Sequence, residues 1–286
     1  MKNYVLILLN CFLFFNCAKD YGKLIFICRL PNSLAEVSGL ELSNNSNLLW
    51  MHNDSGNKSH LYAIDTTGLI LNKIALNVKN KDWEDITSDE EGNLYVGDFG
   101  NNNNKRNDLS IYKVLKEDLK SKKKINVIKI DFSYPDQSSF PPPKKERFFD
   151  AESLFYNNGY LYVFSKSRVK NRYGETTLYK IRAVPGKHKA IFVGNFKTCN
   201  DDNTCSITAA DISPDKKKVV LLNHKSIYVF SDFKGDNFFE GSLVKYDFNH
   251  VSQKEGVIFK DNNTVFITDE KSRGKGGNLY KFNLRN

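Results

Sequence analysis

Five stretches of this chain repeat one grammar of strands and turns, and such a repeat sets the class of fold before any single residue is weighed. Each unit leads from an acidic stretch into a short apolar strand. A turn, a second apolar strand, a polar loop and a strand carrying Leu-Tyr or Ile-Tyr follow. The units begin at Glu36-Val-Ser-Gly-Leu40, Trp83-Glu-Asp-Ile86, Asp150-Ala-Glu-Ser-Leu154, Ala209-Ala-Asp-Ile212 and Glu255-Gly-Val257. Second strands follow at Leu48–Met51, Leu94–Val96, Tyr160–Phe164, Val219–Leu222 and Thr264–Ile267, each after turn residues such as Asn44-Asn45 or Asn157-Asn158-Gly159. Third strands hold Leu61-Tyr62, Ile111-Tyr112, Leu178-Tyr179, Ile227-Tyr228 and Leu279-Tyr280.

Fourth strands are expected near residues 69–76, 125–132, 190–196 and 243–248, but the last unit ends after Leu284 without one. The missing strand stands at the other end of the chain, as Lys23-Leu-Ile-Phe-Ile-Cys-Arg-Leu30. A circle closed by its N-terminal strand has this layout, whereas an open solenoid needs capping repeats. The expected fold is therefore all-β: a propeller of about five four-stranded blades, spanning residues 23–286 as one domain. Spacings of 46, 68, 58 and 45 residues between Leu40, Ile86, Leu154, Ile212 and Val257 leave room for inserts, and a sixth, degenerate blade stays compatible with them. One insert carries Ser138-Ser139-Phe140-Pro141-Pro142-Pro143-Lys144 and reads as a stiff surface crossover.

Ahead of the repeats, Lys2 and the apolar run Val5–Phe15 read as a signal peptide over residues 1–16, too short for a stable membrane span. Cys17 follows directly, as in a bacterial lipobox, so residues 17–22 are expected to form a lipidated tether on an exported cell-envelope protein. Cys199 and Cys205 flank a short polar loop and are expected to close a disulfide in an oxidising compartment. The formal charge of +9 is spread over loops, and neither one face nor one helix gathers it. No specific nucleic-acid partner follows from it, and a monomer is expected.

In a propeller the residues leading into the inner strand and those leaving the second strand open on one face. The first set is acidic here: Glu36, Asp82, Glu84, Asp85, Asp150, Glu152, Asp211 and Glu255. The second set is Asn53, Asp54, Asp98, Lys166, His224, Asp269 and Glu270. Converging carboxylates repel one another and resist desolvation, so a divalent cation is expected among them, and hard oxygen donors suit Ca²⁺. Glu84, Glu152 and Glu255 share a register that faces the channel, while Asp85 and Asp211 are expected to point into the blade. The opposing reading is structural, with acids satisfying backbone N–H groups of a neighbouring blade. His52 and His224 both follow a second strand and are the candidates for a catalytic base.

The segments Trp83-Glu-Asp-Ile-Thr87, Gly92-Asn-Leu-Tyr-Val-Gly-Asp-Phe-Gly-Asn101 and Asp150-Ala-Glu-Ser-Leu154 resemble those of exported bacterial propellers near esterase-like phytases, gluconolactonase-type enzymes and NHL-type repeats. The resemblance implies Ca²⁺ on the channel axis, with Glu36, Glu84, Glu152 and Glu255 near it, and phosphoester or lactone hydrolysis in some relatives. Ala210 departs from the acidic pattern, and a cluster of basic phosphate-clamping residues is not evident. Two functions follow as expectations: a lipoprotein that binds a small-molecule or protein ligand, or a Ca²⁺-dependent hydrolase. Replacing Cys17 by Ser is expected to free the protein from membranes; a fractionation in which Cys17→Ser stays with the membrane would argue against the anchor.

Overall fold

The computed structural model describes residues 19–43 and 48–285, so the signal segment, Cys17 and the Asn44-Asn45 turn lie outside the described residues. The first strand, β1 (Ile25–Arg29), precedes the repeats. Blade one comprises β2 (Val37–Leu42), β3 (Leu49–Asn53), β4 (His60–Ile64) and β5 (Ile70–Ala75). Blade two comprises β6 (Trp83–Ser88), β7 (Leu94–Asp98), β8 (Ser110–Val114) and β9 (Ile128–Ser133). Blade three is β10 (Asp150–Asn157), β11 (Tyr160–Lys166) and β12 (Glu175–Arg182), then, after the short β13 (Gly186–Lys189), β14 (Ile191–Lys197). Blade four is β15 (Ala209–Ile212), β16 (Lys218–Leu222), β17 (Ser226–Ser231) and β18 (Ser242–Asp247). Blade five holds β19 (Lys254–Asp261), β20 (Thr264–Asp269) and β21 (Asn278–Asn283), with β1 as its outer strand.

The closure is an antiparallel ladder in which Ile25 faces Lys281, Phe26 faces Tyr280 and Arg29 faces Asn278. The inner strands β2, β6, β10, β15 and β19 contact one another in a ring, which defines a five-blade propeller without a sixth unit among the described residues. Burial grades outward: β3 and β7 are buried throughout, whereas β18 is exposed at nearly every position.

The core is divided into five clusters, one at each seam between blades. Trp50, Leu61, Trp83 and Val96 join blades one and two. Tyr95, Ile111, Leu154 and Tyr179 join two and three. Phe155, Phe164, Leu221 and Phe230 join three and four. Val220, Ile227, Ile267 and Tyr280 join four and five, and Leu40, Met51, Phe266 and Leu279 complete the circle. Each buried aliphatic or aromatic side chain contributes roughly 1.5–3 kcal/mol, and the term is only collected when both facing blades are present.

Two features escaped the sequence. The strand β13 leaves blade three and pairs parallel with β9 of blade two, His188 facing Phe132. Blade four also runs in a different register from the one its sequence suggested. Ala210, not Ile212, pairs across from Leu221 as Leu40 does from Met51 and Ile86 from Val96.

A chain lacking residues 1–30 leaves β21 paired on one side only, with β20, and two seams without Leu24, Cys28 and Leu30. It is expected to lose its cooperative thermal transition, and a melt matching the full chain would refute ring closure as the source of stability.

Candidate functional site

The register of the inner strands explains how acids reach the channel. In blades two, three and five a β-bulge sets two residues against one: Glu84 and Asp85 against Gly97, Glu152 and Ser153 against Phe164, Glu255 and Gly256 against Thr268. A bulge bends its strand and re-aims the extra side chain. Blade one has the same shift at Ser38 and Gly39, opposite His52. In blade four Thr208 takes the position, its N–H reaching the Leu222 carbonyl at 3.0 Å. The bulge ring is thus Ser38, Glu84, Glu152, Thr208 and Glu255. Glu36 stands two residues earlier, in line with Asp82 and Asp150, and the non-acidic member of blade four is Thr208 rather than Ala210. The two hydroxyls brace the next blade instead: Ser38 donates to the Glu84 carbonyl, and Thr208 donates to the Lys254 carbonyl at 2.6 Å.

The residues leaving the second strands divide the same way. Asn53, Asp98, Ser165, Asn223 and Asp269 occupy one register and hold the loops. Asp98 accepts from the Tyr112 hydroxyl at 3.0 Å and from Arg106, and Asp269 accepts from Asn278 N and the Tyr280 hydroxyl, both at 2.9 Å. This assigns a purpose to the third-strand Tyr of blades two and five, Tyr112 and Tyr280, whereas Tyr179 of blade three donates to Asp136. One position further, Asp54, Lys166, His224 and Glu270 turn to the mouth, while Phe99 is buried in blade two.

Asp85 and Asp211 follow the structural reading. Asp85 accepts from Leu154 N at 3.0 Å, and Asp211 from Phe259 N at 2.6 Å, each bonding the inner strand of the next blade. Thr87 does the same for Tyr156 N at 3.1 Å. Asp211 stands in the register of Thr87, not of Asp85, and with Glu41 it borders a cavity of about 530 Å³ at the opposite mouth. Glu41 is bound there by the Ser88 hydroxyl at 3.1 Å.

At the upper mouth the four expected metal residues meet different fates. Glu36 accepts from the Asn57 amide, Glu152 is held by Lys166 and Arg168, each at 3.1 Å, and Glu255 lies 3.1 Å from His224 Nε2. Glu84 is the exception. It is 6% exposed, and among the described residues it has no hydrogen-bond or ion-pair partner for its carboxylate. Its carboxylate instead joins those of Asp54 and Asp82, with one ligand oxygen from each lying within 4.8 Å of the others. Gly100 packs against this group, and a Cβ there would collide with Glu84 and Asp82. Neither Asp54 nor Asp82 was singled out for metal by the sequence, although both stood in its acidic sets.

The two histidines differ in access. His52 is fully buried, its ring edge-on to Trp83 with centroids 5.5 Å apart and its Nε2 against Gly39, and burial lowers its pKa to about 4. His224 lies at the mouth, with Nδ1 2.6 Å from the Asn203 carbonyl. Asn203 belongs to the loop closed by the Cys199–Cys205 disulfide.

No protein-family model and no curated protein matches the sequence. Solved structures that resemble the chain include the following three. Selenomethionine-substituted virginiamycin B lyase from Staphylococcus aureus is 13% identical over 88% of this chain and 68% of its own, with a TM-score of 0.43. A streptogramin B lyase is 9% identical over 90% and 96%, with a TM-score of 0.48. Hydrazine synthase of Kuenenia stuttgartiensis is 9% identical over 82% and 61%, with a TM-score of 0.42.

The mouth stores electrostatic repulsion. Burial, then neighbouring carboxylates including Glu152 and Glu255, push Asp54 up to about 6. Burial with Glu255, Asp54 and Glu36 pushes Glu270 up to about 8, and burial with Glu152 and Asp54 raises Glu84 well above the carboxylate range. Burial alone raises Asp211 to about 7. Glu270 and Asp211 therefore keep protons in the folded chain where the unfolded chain has lost them, and stability falls as pH climbs through their folded values. The buried histidines act below this range, since their lowered values oppose folding only under about pH 6.5. Metal-free protein is expected to melt progressively lower from about pH 6.5 to 8, with a shallower slope in Glu270→Gln. A melting temperature that rises across that interval would contradict the assignment.

Proposed function

We propose that this protein is an exported, lipid-anchored propeller that binds a divalent cation at its upper channel mouth and captures an oxygen-rich small-molecule ligand through it. One observation carries the reading: Glu84, buried and without a side-chain partner among the described residues, shares its site with Asp54 and Asp82. A buried carboxylate left unpaired is strongly disfavoured, and a bound cation removes the penalty. The donors fit the group, since they are hard oxygens whose mutual separation suits one ion with metal–oxygen distances of about 2.3–2.6 Å. Calcium is the cation of choice for such carboxylates on flexible loops and bulges, and its remaining positions suit carboxylate, phosphate or hydroxyl oxygens of a ligand. The disulfide agrees with an oxidising compartment.

Hydrolysis of phosphoesters, esters or lactones is the second reading, favoured by the His224–Glu255 pair beside the cluster. In that reading the cation polarises the substrate oxygen, and His224 rather than the enclosed His52 holds the proton at Nε2.

Calorimetry with Ca²⁺ is expected to give one site per chain, with Glu84→Gln weakening it by more than about tenfold. In chelator the same variant is expected to melt at or above the parent protein, because it removes a buried carboxyl group whose ionisation the neighbouring acids and burial oppose. Absence of Ca²⁺ binding by the parent protein would overturn the reading. Chelator-sensitive turnover of aryl phosphates, esters or lactones, lost in Glu84→Gln, would replace pure binding by hydrolysis.

A further inference from the structure

His224 has both ring nitrogens engaged within the protein. Nδ1 meets the Asn203 carbonyl at 2.6 Å and Nε2 meets Glu255 Oε1 at 3.1 Å. Its main chain is fixed as well, because the fully buried Lys254 ammonium donates to the His224 carbonyl at 2.9 Å. The Asn203 carbonyl is presented by a loop with its own ties. Cys199 and Cys205 close it, and Asp201 accepts from Asn203 N at 3.1 Å and from the Thr204 hydroxyl at 2.8 Å. The outcome is a rigid line from disulfide to loop carbonyl to imidazole to carboxylate.

Glu255 and Glu84 occupy the same bulge position in their blades, and their surroundings are opposite. Among the described residues Glu84 is unpartnered and belongs to the carboxylate cluster, whereas Glu255 is drawn toward blade four and stands outside it. Its charge nevertheless acts on both Asp54 and Glu270, so its head lies within electrostatic reach of the same mouth.

We propose that the Cys199–Cys205 loop and His224 form a clamp that holds Glu255 away from the cation, leaving a coordination position for an oxygen of the external ligand. The clamp rests on the cation reading above and deepens it: the ligand is an anionic or hydroxyl-bearing molecule that takes the place Glu255 is denied. His224 and Asn203 are positioning residues in this arrangement. Releasing Glu255 adds a carboxylate to Asp54, Asp82 and Glu84, whether the release comes from loss of the His224 ring or of the loop disulfide. Both changes tighten cation binding and close the position to ligand.

The test uses Tb³⁺ as the probe, with affinity by titration and coordinated water from luminescence lifetimes in H₂O and D₂O. His224→Gln, and separately the pair Cys199→Ser with Cys205→Ser, are expected to bind Tb³⁺ on the order of tenfold more tightly and with about one coordinated water fewer. In a Glu255→Gln background neither change is expected to alter affinity or water number. Unchanged affinity and hydration in His224→Gln, or the same gain without the Glu255 carboxylate, would overturn the clamp. Should the cysteine pair fail to fold, His224→Gln decides the matter with the disulfide intact. Long-range ¹H–¹⁵N spectra of the metal-free protein separate the two readings. A parent protein that binds no Tb³⁺ ends the cation proposal, and a His224 ring with the shifts of a free imidazole ends the clamp.

Discussion

The hydrogen-bonded ladder between β1 and β21 is the constraint on which every other feature rests. None of the blades can bury both of its faces alone, and each seam core is shared between two of them. Joining residues from opposite ends of the chain turns four seams into five and fixes the radius of the channel. Once that radius is set, the five bulges are set around one axis, and their side chains meet whether or not their charges agree. The repulsion at the mouth is thus a consequence of closure, because the blades cannot retreat from one another without giving up their shared cores.

Much of this was legible because the determinants are periodic. Alternating apolar residues, turn pairs and the recurrent Leu/Ile-Tyr strand are written locally in each unit, and the displaced strand at residues 23–30 gave the closure by its very position. The alignment of acids was legible only in part. Glu84, Glu152 and Glu255 share a register that sequence spacing preserves, but a bulge adds one residue without any mark of composition. Thr208 in place of Ala210, and Ser38 rather than Glu36, could be found only from the pairing of strands. The separation of partnered from unpartnered acids was not legible at all. It depends on Arg168, Lys166, His224 and Asn57, which lie 14 to 31 residues away from their partners and reach them through the fold.

Blade identity is what breaks the symmetry of the mouth. A propeller of identical blades would gather five equal side chains. Here two positions are hydroxyls that brace the neighbouring backbone, one is a carboxylate neutralised by Lys166 and Arg168, one faces an imidazole, and one is unpaired. The unpaired member sits where blade one contributes Asp54 and blade two contributes Asp82. Function, where a repeat fold has it, comes from such departures, since the repeat itself serves only to bring them to a common centre.

The strap β13 has an effect on how the ring can breathe. Because it belongs to blade three yet hydrogen-bonds along β9, blades two and three cannot part without breaking a run of main-chain bonds. Leu76 and Ile125 stitch blades one and two in a similar way. Blade two, which contributes Asp82 and Glu84, is therefore bound by main-chain hydrogen bonds across both of its seams, to blade one with its Asp54 and to blade three.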